Sequence, residues 1–227
     1  TNKVVFIMKR NKRVLLTGAS RGIGKATYEL LTQQYDVIAP TRSMLDLARP
    51  ESIADFFGQD AAYDVVINCA GINIIKPTKD IVYEDIKLIN AVNLESPLLI
   101  IQQCLPHMQG QQWGRVINIS SIWGQISKAQ RTLYSGSKFG LIGYTKALAK
   151  EFASQNILVN AICPGFTNTE LTAQSLSQDE LAEIVATIPA NRLAEPNEIA
   201  KLVKFMISDD NSYMTGEAVT IDGGFLS

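Results

Sequence analysis

Short apolar runs alternate with helix-period segments along all 227 residues, and this alternation is the strongest constraint on the fold. The runs are rich in valine, isoleucine and leucine, as the strands of a parallel sheet covered on both faces must be. Strands that alternate with helical segments are typical of βαβ units. The pattern therefore predicts one α/β domain over residues 1–227, a doubly wound parallel sheet with helices on both faces. We expect strands at 13–17, 36–40, 64–68, 115–120, 157–162 and 218–222, and helices at 22–34, 51–58, 81–109, 133–154, 178–188 and 196–208.

Charge and hydropathy exclude several classes of function. The formal net charge is -1 and the pI is about 5.9, so no basic field predicts a nucleic acid or an anionic membrane as partner. No apolar run approaches the roughly 20 residues that span a bilayer, and the N-terminus lacks a signal-peptide pattern. We therefore expect a cytoplasmic protein, with residues 1–7 as a leader before a natural start at Met8.

The spacing of cysteine and histidine argues against a metal site and against a disulfide framework. Cys69, Cys104 and Cys163 lie far apart inside apolar runs, without a CxxC pair. The single histidine, His107, has no neighbours that would complete a catalytic triad or a metal site. We predict buried free thiols and no bound metal.

A glycine-rich turn follows the first predicted strand and leads into the first predicted helix. The segment TGASRGIG at 17–24 places Gly18, Gly22 and Gly24 at this junction. Glycines let backbone N–H groups approach a pyrophosphate, and the start of a helix adds partial positive charge. Because a strand precedes the turn and a helix follows it, the pattern favours a dinucleotide site over an ordinary tight turn.

The end of the second predicted strand distinguishes the two nicotinamide dinucleotides. An acid there favours NAD, whereas a nearby arginine accommodates the 2′-phosphate of NADP. The segment DVIAPTR offers Arg42 and no carboxylate at that end, because Asp36 stands at the start of the strand. Arg21 in the glycine turn adds a second cation. The sequence favours NADP(H), the alternative being that both arginines are merely solvated.

Tyr134 and Lys138 lie one helical turn apart at the start of a predicted helix. Side chains at i and i+4 are neighbours on a helix, so the lysine charge would lower the pKa of the phenol below its ordinary value of roughly 10. Such a tyrosine could exchange a proton near neutral pH, whereas on a solvated helix face the pair would have no chemical role. Leu141, Leu148 and Phe152 form an apolar stripe, which leaves the pair beside the strand–helix crevice.

An ordered set of motifs resembles the short-chain dehydrogenase/reductase family. The motifs are TGASRGIG at 17–24, NCAG at 68–71, an asparagine at 93, a serine at 121, YSGSK at 134–138 and PG at 164–165. Within that family, GRVINISS, LIGYTKALAKE, ILVNAICPGF and TGEAVTIDGG are most similar to the 3-oxoacyl-[acyl-carrier-protein] reductases. The resemblance covers nearly the whole chain. It implies a Rossmann fold and an oxidoreductase that uses a nicotinamide coenzyme.

The resemblance also implies roles for the matching catalytic residues. Tyr134 would be the general acid in carbonyl reduction and the base in alcohol oxidation, and Lys138 would lower its pKa and bind the nicotinamide ribose. Ser121, one residue past the strand pattern, would hydrogen-bond the substrate oxygen in preference to Ser120. Asn93 would complete the catalytic set through a water and a helix irregularity.

Coenzyme and substrate contacts follow from the same resemblance. Asn68 is expected to tie neighbouring strands together, while Trp123, Ile126 and a lid at 166–190 would line the substrate side. The implied coenzyme-binding residues are Gly18, Ser20, Arg21, Gly22, Ile23, Gly24, Arg42, Asp46, Leu47, Asn68, Ala70, Gly71, Tyr134, Lys138, Pro164, Gly165, Thr167 and Thr169.

Two departures from the family pattern concern the coenzyme and the substrate. The segment TRSMLDLARPESI is short, so the usual helix and strand after the second strand are trimmed, and Asp46 and Leu47 would contact the adenine from an abbreviated connection. Reductases that act on an acyl carrier commonly have basic residues where this chain has Gln112 and Gln155. The resemblance therefore supports the catalytic class more directly than it supports a carrier-bound substrate.

The leading hypothesis is an NADPH-dependent reductase that acts on a ketone, as a small molecule or as a 3-oxoacyl thioester. One alternative is an NAD(P)-dependent alcohol or sugar dehydrogenase. Another is a regulator that binds NADP(H) without turnover, which the intact set of catalytic motifs disfavours. Family likeness further implies a homotetramer or homodimer, in which the helices predicted at 81–109 and 133–154 pack against symmetry mates.

Overall fold

A six-stranded parallel sheet forms the centre of the computed structural model, which describes residues 11–58, 60–175 and 177–227. The strand order is β2-β1-β3-β4-β5-β6. The predicted fold class is confirmed, while the leader expected at residues 1–7 lies outside the described residues. The strands are β1 (Arg13–Thr17), β2 (Asp36–Ile38), β3 (Val65–Asn68), β4 (Gly114–Ile119), β5 (Ile157–Pro164) and β6 (Ala218–Ile221).

Helices cover both faces of this sheet. Two of them, α1 and α8, pack against one face, and α2, α4 and α5 pack against the other. Within the described part of the chain, no helix combines the length and the hydropathy that a membrane span requires. The helices are α1 (Gly22–Leu31), α2 (Pro50–Phe57), α3 (Tyr83–Asn90), α4 (Ser96–Gln111), α5 (Thr132–Phe152), α6 (Glu170–Ser175), α7 (Gln178–Thr187) and α8 (Pro196–Ile207).

Successive side chains of each strand enter two different hydrophobic clusters. Val14 and Leu16 pack in the cluster that includes α1 and α8, whereas Leu15 packs in the cluster that includes α2, α4 and α5. This follows from the two-residue period of a strand. Leu148 and Phe152 of the predicted apolar stripe lie in the second cluster. Both faces of the sheet are thus buried, which explains why the strands read as continuous apolar runs.

The helix predicted at 81–109 is instead two helices, α3 and α4, joined by a π-helical turn over Ala91–Glu95. A π-helical turn closes its hydrogen bonds one residue later than an α-helix does, so the segment accommodates an extra residue. Pro97 lies in the first turn of α4 and cannot donate the helical hydrogen bond to the carbonyl of Asn93. The interruption therefore has an identifiable local cause.

The connection between β2 and α2 contains only turns. The second strand ends at Ile38 rather than at residue 40, because Pro40 has no N–H group for the sheet. The trimmed connection inferred from the sequence is therefore present, and β2 forms one edge of the sheet.

Candidate active site

A crevice lies at the carboxyl end of the sheet, which is where parallel α/β sheets bind ligands. It contains two cavities. We call the first the inner cavity; it has a volume of about 330 Å³ and is lined in part by Ser121, Tyr134 and Lys138. We call the second the outer cavity; Arg42 and Leu47 line its wall.

The inner and outer cavities adjoin each other along the glycine turn. Gly18, Ser20, Ala70 and Gly71 line both of them. An extended ligand could therefore occupy both cavities and cross the turn between β1 and α1. A dinucleotide has this extended form.

The backbone of the glycine turn packs too closely against neighbouring backbone for side chains to fit at Gly18 and Gly24. Gly18 has a φ of +75°, and a Cβ atom added there would lie 2.7 Å from the Cα atom of Ala70. A Cβ atom on Gly24 would lie 2.0 Å from the carbonyl oxygen of Gly18. Helix α1 begins at Gly22, and no side chain caps its first N–H groups. These groups remain available to an anion, so the turn fits a pyrophosphate.

Thr17 is a supporting residue that the sequence analysis missed. Its hydroxyl oxygen accepts hydrogen bonds from the backbone N–H groups of Cys69, at 3.1 Å, and Ala70, at 3.2 Å. The bonds hold the loop after β3 beside the glycine turn. A threonine at the end of an otherwise apolar strand was the available signal.

Tyr134 lies in the first turn of α5 and lines the inner cavity. Burial raises its pKa above the ordinary value of 10.0, while a hydrogen bond with Ser121 and the charge of Arg131 act in the opposite direction. The predicted lowering of this pKa by Lys138 is wrong. The ammonium lies 5.7 Å from the centre of the phenol ring, and desolvation outweighs the favourable charges.

Lys138 is 4% exposed, and its Nζ atom donates a hydrogen bond of 2.7 Å to the carbonyl oxygen of Ile119. Burial lowers the pKa of Lys138 from 10.5 to about 8. Lys138 therefore remains protonated at neutral pH, although its pKa is closer to neutrality than that of an ordinary lysine. A ribose hydroxyl in the inner cavity would find a fixed donor there.

The two adjacent serines after β4 have different partners. The Oγ atom of Ser121 accepts a hydrogen bond of 3.2 Å from the N–H group of Trp123, so its own hydroxyl proton is free to be donated. The hydroxyl of Ser120 instead donates to the carbonyl oxygen of Lys138 at 3.1 Å. Ser120 thus joins β4 to α5, and Ser121 is the one suited to a substrate oxygen.

Asn93 lies in the π-helical turn and is 1% exposed. Its Oδ1 atom accepts from the N–H group of Ile72, and its Nδ2 atom donates to the carbonyl oxygen of Ile72, both at 2.9 Å. The same Nδ2 atom donates to Ser137 at 3.1 Å. A Cβ atom on Gly71 would lie 3.4 Å from Oδ1 of Asn93 and 3.5 Å from Nζ of Lys138. Asn93 therefore approaches Lys138 across Gly71.

The structure brings most of the predicted site residues to the two cavities. Asn68 lines neither cavity; its Nδ2 atom donates to Oδ1 of Asn118 at 2.9 Å and so links β3 to β4. Asn93 is likewise buried behind the cavity wall. The predicted residues that line the inner cavity are Gly18, Ser20, Arg21, Gly22, Ile23, Gly24, Ala70, Gly71, Ser121, Tyr134, Lys138, Pro164, Gly165, Thr167 and Thr169, and those confined to the outer cavity are Arg42, Asp46 and Leu47.

The two arginines predicted to hold one phosphate line different cavities. Arg21 lines the inner cavity and Arg42 the outer one. The Nε atom of Arg42 lies 3.5 Å from Oδ1 of Asp46, in an ion pair whose arginine side chain is 81% exposed. An exposed pair of this kind is weak, so Arg42 can turn towards a ligand in the outer cavity.

The three cysteines carry free thiols. Cys104 and Cys163 are buried, whereas Cys69 is only partly buried and lines the inner cavity. Burial raises the pKa of Cys69 to about 12, so its thiol is neutral. Across the described ranges, no group of three histidine, cysteine or carboxylate side chains is arranged to hold a metal ion.

Aromatic side chains form one wall of the inner cavity. Trp123 and Phe166 meet edge to face with ring centres 6.2 Å apart, and Phe166 meets Phe225 in the same way at 5.3 Å. Ile126, which was also expected on this side, does not line the cavity. Arg131 does line it, and the sequence analysis missed this residue because arginine is usually exposed.

Comparisons with known proteins agree with this geometry. Residues 7–226 match the family model described as enoyl-(acyl carrier protein) reductase. The chain is 35% identical to the 3-oxoacyl-[acyl-carrier-protein] reductase FabG of Aquifex aeolicus, over 97% of this chain and 99% of that one. A solved 4-hydroxyisoleucine dehydrogenase complexed with NADH superposes with a TM-score of 0.89 at 30% identity, covering 95% of this chain and 98% of that one. ElxO with NADP bound gives a TM-score of 0.84 at 29% identity, covering 95% and 99%. The chain belongs to the short-chain dehydrogenase/reductase family of oxidoreductases.

Proposed function

We propose that the protein reduces a carbonyl group to an alcohol with NADPH, and that Tyr134 donates the proton. The observation that carries this proposal is the cluster at the base of the inner cavity. There the hydroxyls of Tyr134 and Ser121 line the same cavity as the buried ammonium of Lys138. Together these groups provide donors for one oxygen atom of a substrate.

The coenzyme fits the residues that are present. The bare glycine turn would receive the pyrophosphate, the outer cavity the adenosine end and Lys138 the nicotinamide ribose. When bound, the coenzyme supplies the hydride that is transferred to the carbonyl carbon. The protein supplies position and charge.

The protonation state of Tyr134 suits reduction. Because burial raises its pKa, the phenol keeps its proton at neutral pH and can donate it to the carbonyl oxygen. Ser121 donates a second hydrogen bond to the same oxygen, where negative charge develops as hydride is transferred. In the reverse direction Tyr134 must first lose its proton, which requires a higher pH.

NADP(H) is the preferred coenzyme in this proposal. Arg42 lines the outer cavity, and no carboxylate stands at the end of β2. Arg42 forms an ion pair with Asp46, and this pair would have to break before Arg42 could bind the 2′-phosphate. ElxO binds NADP within the same fold.

A second candidate is the oxidation of a hydroxy compound. It is favoured by the likeness to 4-hydroxyisoleucine dehydrogenase, a solved neighbour that holds NADH. The likeness to 3-oxoacyl-[acyl-carrier-protein] reductase favours reduction, of a small molecule or an acyl thioester. For both reduction and oxidation we propose that the segment 166–190, which contains α6 and α7, acts as a lid over the substrate.

Tyr134→Phe tests the proposal. We expect the rate of carbonyl-dependent NADPH oxidation to fall by roughly a hundredfold or more, because the proton donor is lost. NADPH binding, followed by the fluorescence of the nicotinamide, should be nearly unchanged. Wild-type protein should bind NADPH more tightly than NADH. Full activity in Tyr134→Phe would refute the assigned role.

A further inference from the structure

Arg131 is a buried arginine in the wall of the inner cavity. It is 6% exposed and immediately precedes α5, three residues before Tyr134. Its backbone is fixed on both sides, because its N–H group donates to the carbonyl of Lys128 and its carbonyl accepts from the N–H group of Ser135. Its guanidinium carbon lies 5.9 Å from the centre of the Trp123 ring. The side chain is thus held at the substrate side of the site.

The guanidinium of Arg131 has no acidic partner among the described residues. Its Nε atom is buried without a hydrogen-bond partner. Burial lowers the pKa of Arg131 from its ordinary value of 12.5, and the nearby group that acts on it is Tyr134. An arginine remains charged in proteins nonetheless. The residues outside the described ranges, 1–10, 59 and 176, include no aspartate or glutamate that could pair with it.

An unpaired buried cation is costly to the folded protein, because it has lost its water without gaining a counter-charge. A guanidinium offers a planar fork of N–H donors that matches a carboxylate with two parallel hydrogen bonds. Because Arg131 lines the inner cavity and no acidic side chain among the described residues pairs with it, it can bind an anion there. A substrate that carries a carboxylate would use it.

We propose that Arg131 binds a carboxylate of the substrate, so that the enzyme acts on short oxo acids and their hydroxy acids. The proposal rests on the proposed function, since it identifies the substrate class of that same site. Arg131 and Tyr134 line the same cavity, and the charge of Arg131 acts on the phenol, so a carboxylate bound to Arg131 would lie near the reacting carbonyl. The aromatic wall of Trp123 and Phe166 would contact the carbon chain between them.

The test compares acids with their neutral esters. 2-Oxobutanoate, 3-oxobutanoate and 4-oxopentanoate, each beside its methyl ester, are assayed with NADPH and the full chain. We expect wild-type protein to prefer at least one acid over its ester in kcat/KM. Arg131→Gln should raise KM for that acid by roughly tenfold to a hundredfold, because a charged hydrogen-bonded pair is lost. The ester should change little, and Arg131→Lys should recover part of the affinity.

Lys128→Gln is the matched control, because the ammonium of Lys128 also lies close to the Trp123 ring, 5.5 Å from its centre, but the residue is exposed on the protein surface. It should leave the preference for the acid in place. Dihydroxyacetone phosphate, a ketone that carries a phosphate in place of a carboxylate, is assayed beside the acids. A preference for this phosphate over every carboxylate, or equal kcat/KM for acids and esters, would overturn the proposal.

Two binding measurements separate this inference from the proposed function. The first is NADPH fluorescence, which Arg131→Gln should leave unchanged; weaker NADPH binding would make Arg131 a coenzyme residue and overturn the inference. The second is calorimetric binding of the three oxo acids to the protein with NADP⁺. Binding that is lost in Arg131→Gln supports the carboxylate site even if no acid is turned over. If no acid binds and none is reduced, the inference fails.

Discussion

Desolvation moves the pKa values of Tyr134 and Lys138 in opposite directions, because it disfavours charge on both groups. The phenol stays neutral, and the pKa of the Lys138 ammonium falls to about 8. Ser121 and Arg131 favour the phenolate but do not offset burial. The resting protein therefore holds its proton on the tyrosine, ready for donation.

A substitution that adds a single methyl group tests the role of the glycine turn in coenzyme binding. In Gly24→Ala the new methyl group would lie 2.0 Å from the carbonyl oxygen of Gly18, so the turn must move and the cradle for phosphate is lost. We expect NADPH binding to weaken by at least roughly tenfold, an amount equal to about 1.4 kcal/mol, in a fluorescence titration. Urea unfolding should also show lower stability.

Gly110→Ala is the control for that variant. Gly110 lies in α4, and an added Cβ atom would have open space around it. Replacing a helical glycine by alanine stabilises a protein by about 0.5–1 kcal/mol. Equal behaviour of the two variants would show that the close contact at Gly24 has no role in binding.

The sequence predicted that Tyr134, Lys138 and Ser121 lie in one crevice, which the structure confirms, but it predicted the wrong direction for the pKa of Tyr134. The i, i+4 spacing of Tyr134 and Lys138 is a local property and can be read directly. The direction of a pKa shift depends on how many atoms the whole fold packs around a group, which no local pattern contains. For the same reason the burial of Arg131 beside Trp123 in the cavity wall was not predicted.

At the scale of elements, Asp64 connects the start of two strands with a helix. Its Oδ2 atom accepts from the N–H group of Arg13 in β1 at 2.7 Å. Its Oδ1 atom accepts from Gln111 at 2.8 Å and lies 2.9 Å from Nε2 of His107, both in α4. Burial raises the pKa of Asp64, but the hydrogen bonds from Arg13, His107 and Gln111 outweigh it, and the net direction is downward.

Asp64→Asn should therefore change both stability and its dependence on pH. Since folding lowers the pKa of Asp64 below 3.8, the unfolded chain takes up the proton first as pH falls. The stabilisation is thus present above that value and is lost as pH drops through the folded pKa. At neutral pH we expect the variant to lose about 1–3 kcal/mol in urea unfolding.

The difference in unfolding free energy between wild type and Asp64→Asn should narrow below about pH 4, as the unfolded chain and then the folded wild type take up a proton at Asp64. Asp55→Asn, at an exposed position of α2, is the matched control and should have little effect at either pH. If the two proteins differed in unfolding free energy by the same amount at neutral and at acid pH, the proposed link between the Asp64 pKa and stability would be contradicted.

Strands were predicted to within about two residues because their valine and isoleucine runs are required by burial on both faces. The π-helical turn was not located as a break between helices, because Ala91–Glu95 continues the apolar pattern of its neighbours. The strand predicted at 36–40 was two residues too long, although Pro40, whose missing N–H group is a property of one residue, was the available signal. The family resemblance implied a helix irregularity at Asn93, but no local pattern gave its bounds or showed that it divides the predicted helix in two.

At the scale of the whole molecule, the outer surfaces of α3 and α5 expose large apolar side chains. Tyr83 is 67% exposed and Phe139 is 47% exposed. Gly136 and Gly143 also lie on α5, where an added Cβ atom would meet no neighbour. Glycine inside a helix is unfavourable unless something requires its small size. A second copy packed closely against α5 would account for both features and supports the proposed homotetramer.

Phe139→Asp tests this assembly. We expect size-exclusion chromatography with light scattering to give four times the chain mass of 24.9 kDa for wild type and a smaller species for the variant. The reason is that a carboxylate would be buried without a partner at the contact. Met44→Asp, at a position 57% exposed in the connection between β2 and α2, should leave the mass unchanged. A monomeric wild type would exclude the assembly.

The extra residue in the π-helical turn has a consequence for how this chain can vary in length. Each residue of an α-helix advances the side chain by about 100° around the axis. Deleting any one of the four residues of Ala91–Glu95 other than Asn93 would restore a continuous helix while rotating α3 against α4 by that angle. The Asn93 amide would then point away from Ile72 even though every neighbouring side chain kept its identity. In this segment the number of residues determines where the Asn93 amide lies as strictly as the identity of residue 93 determines its chemistry.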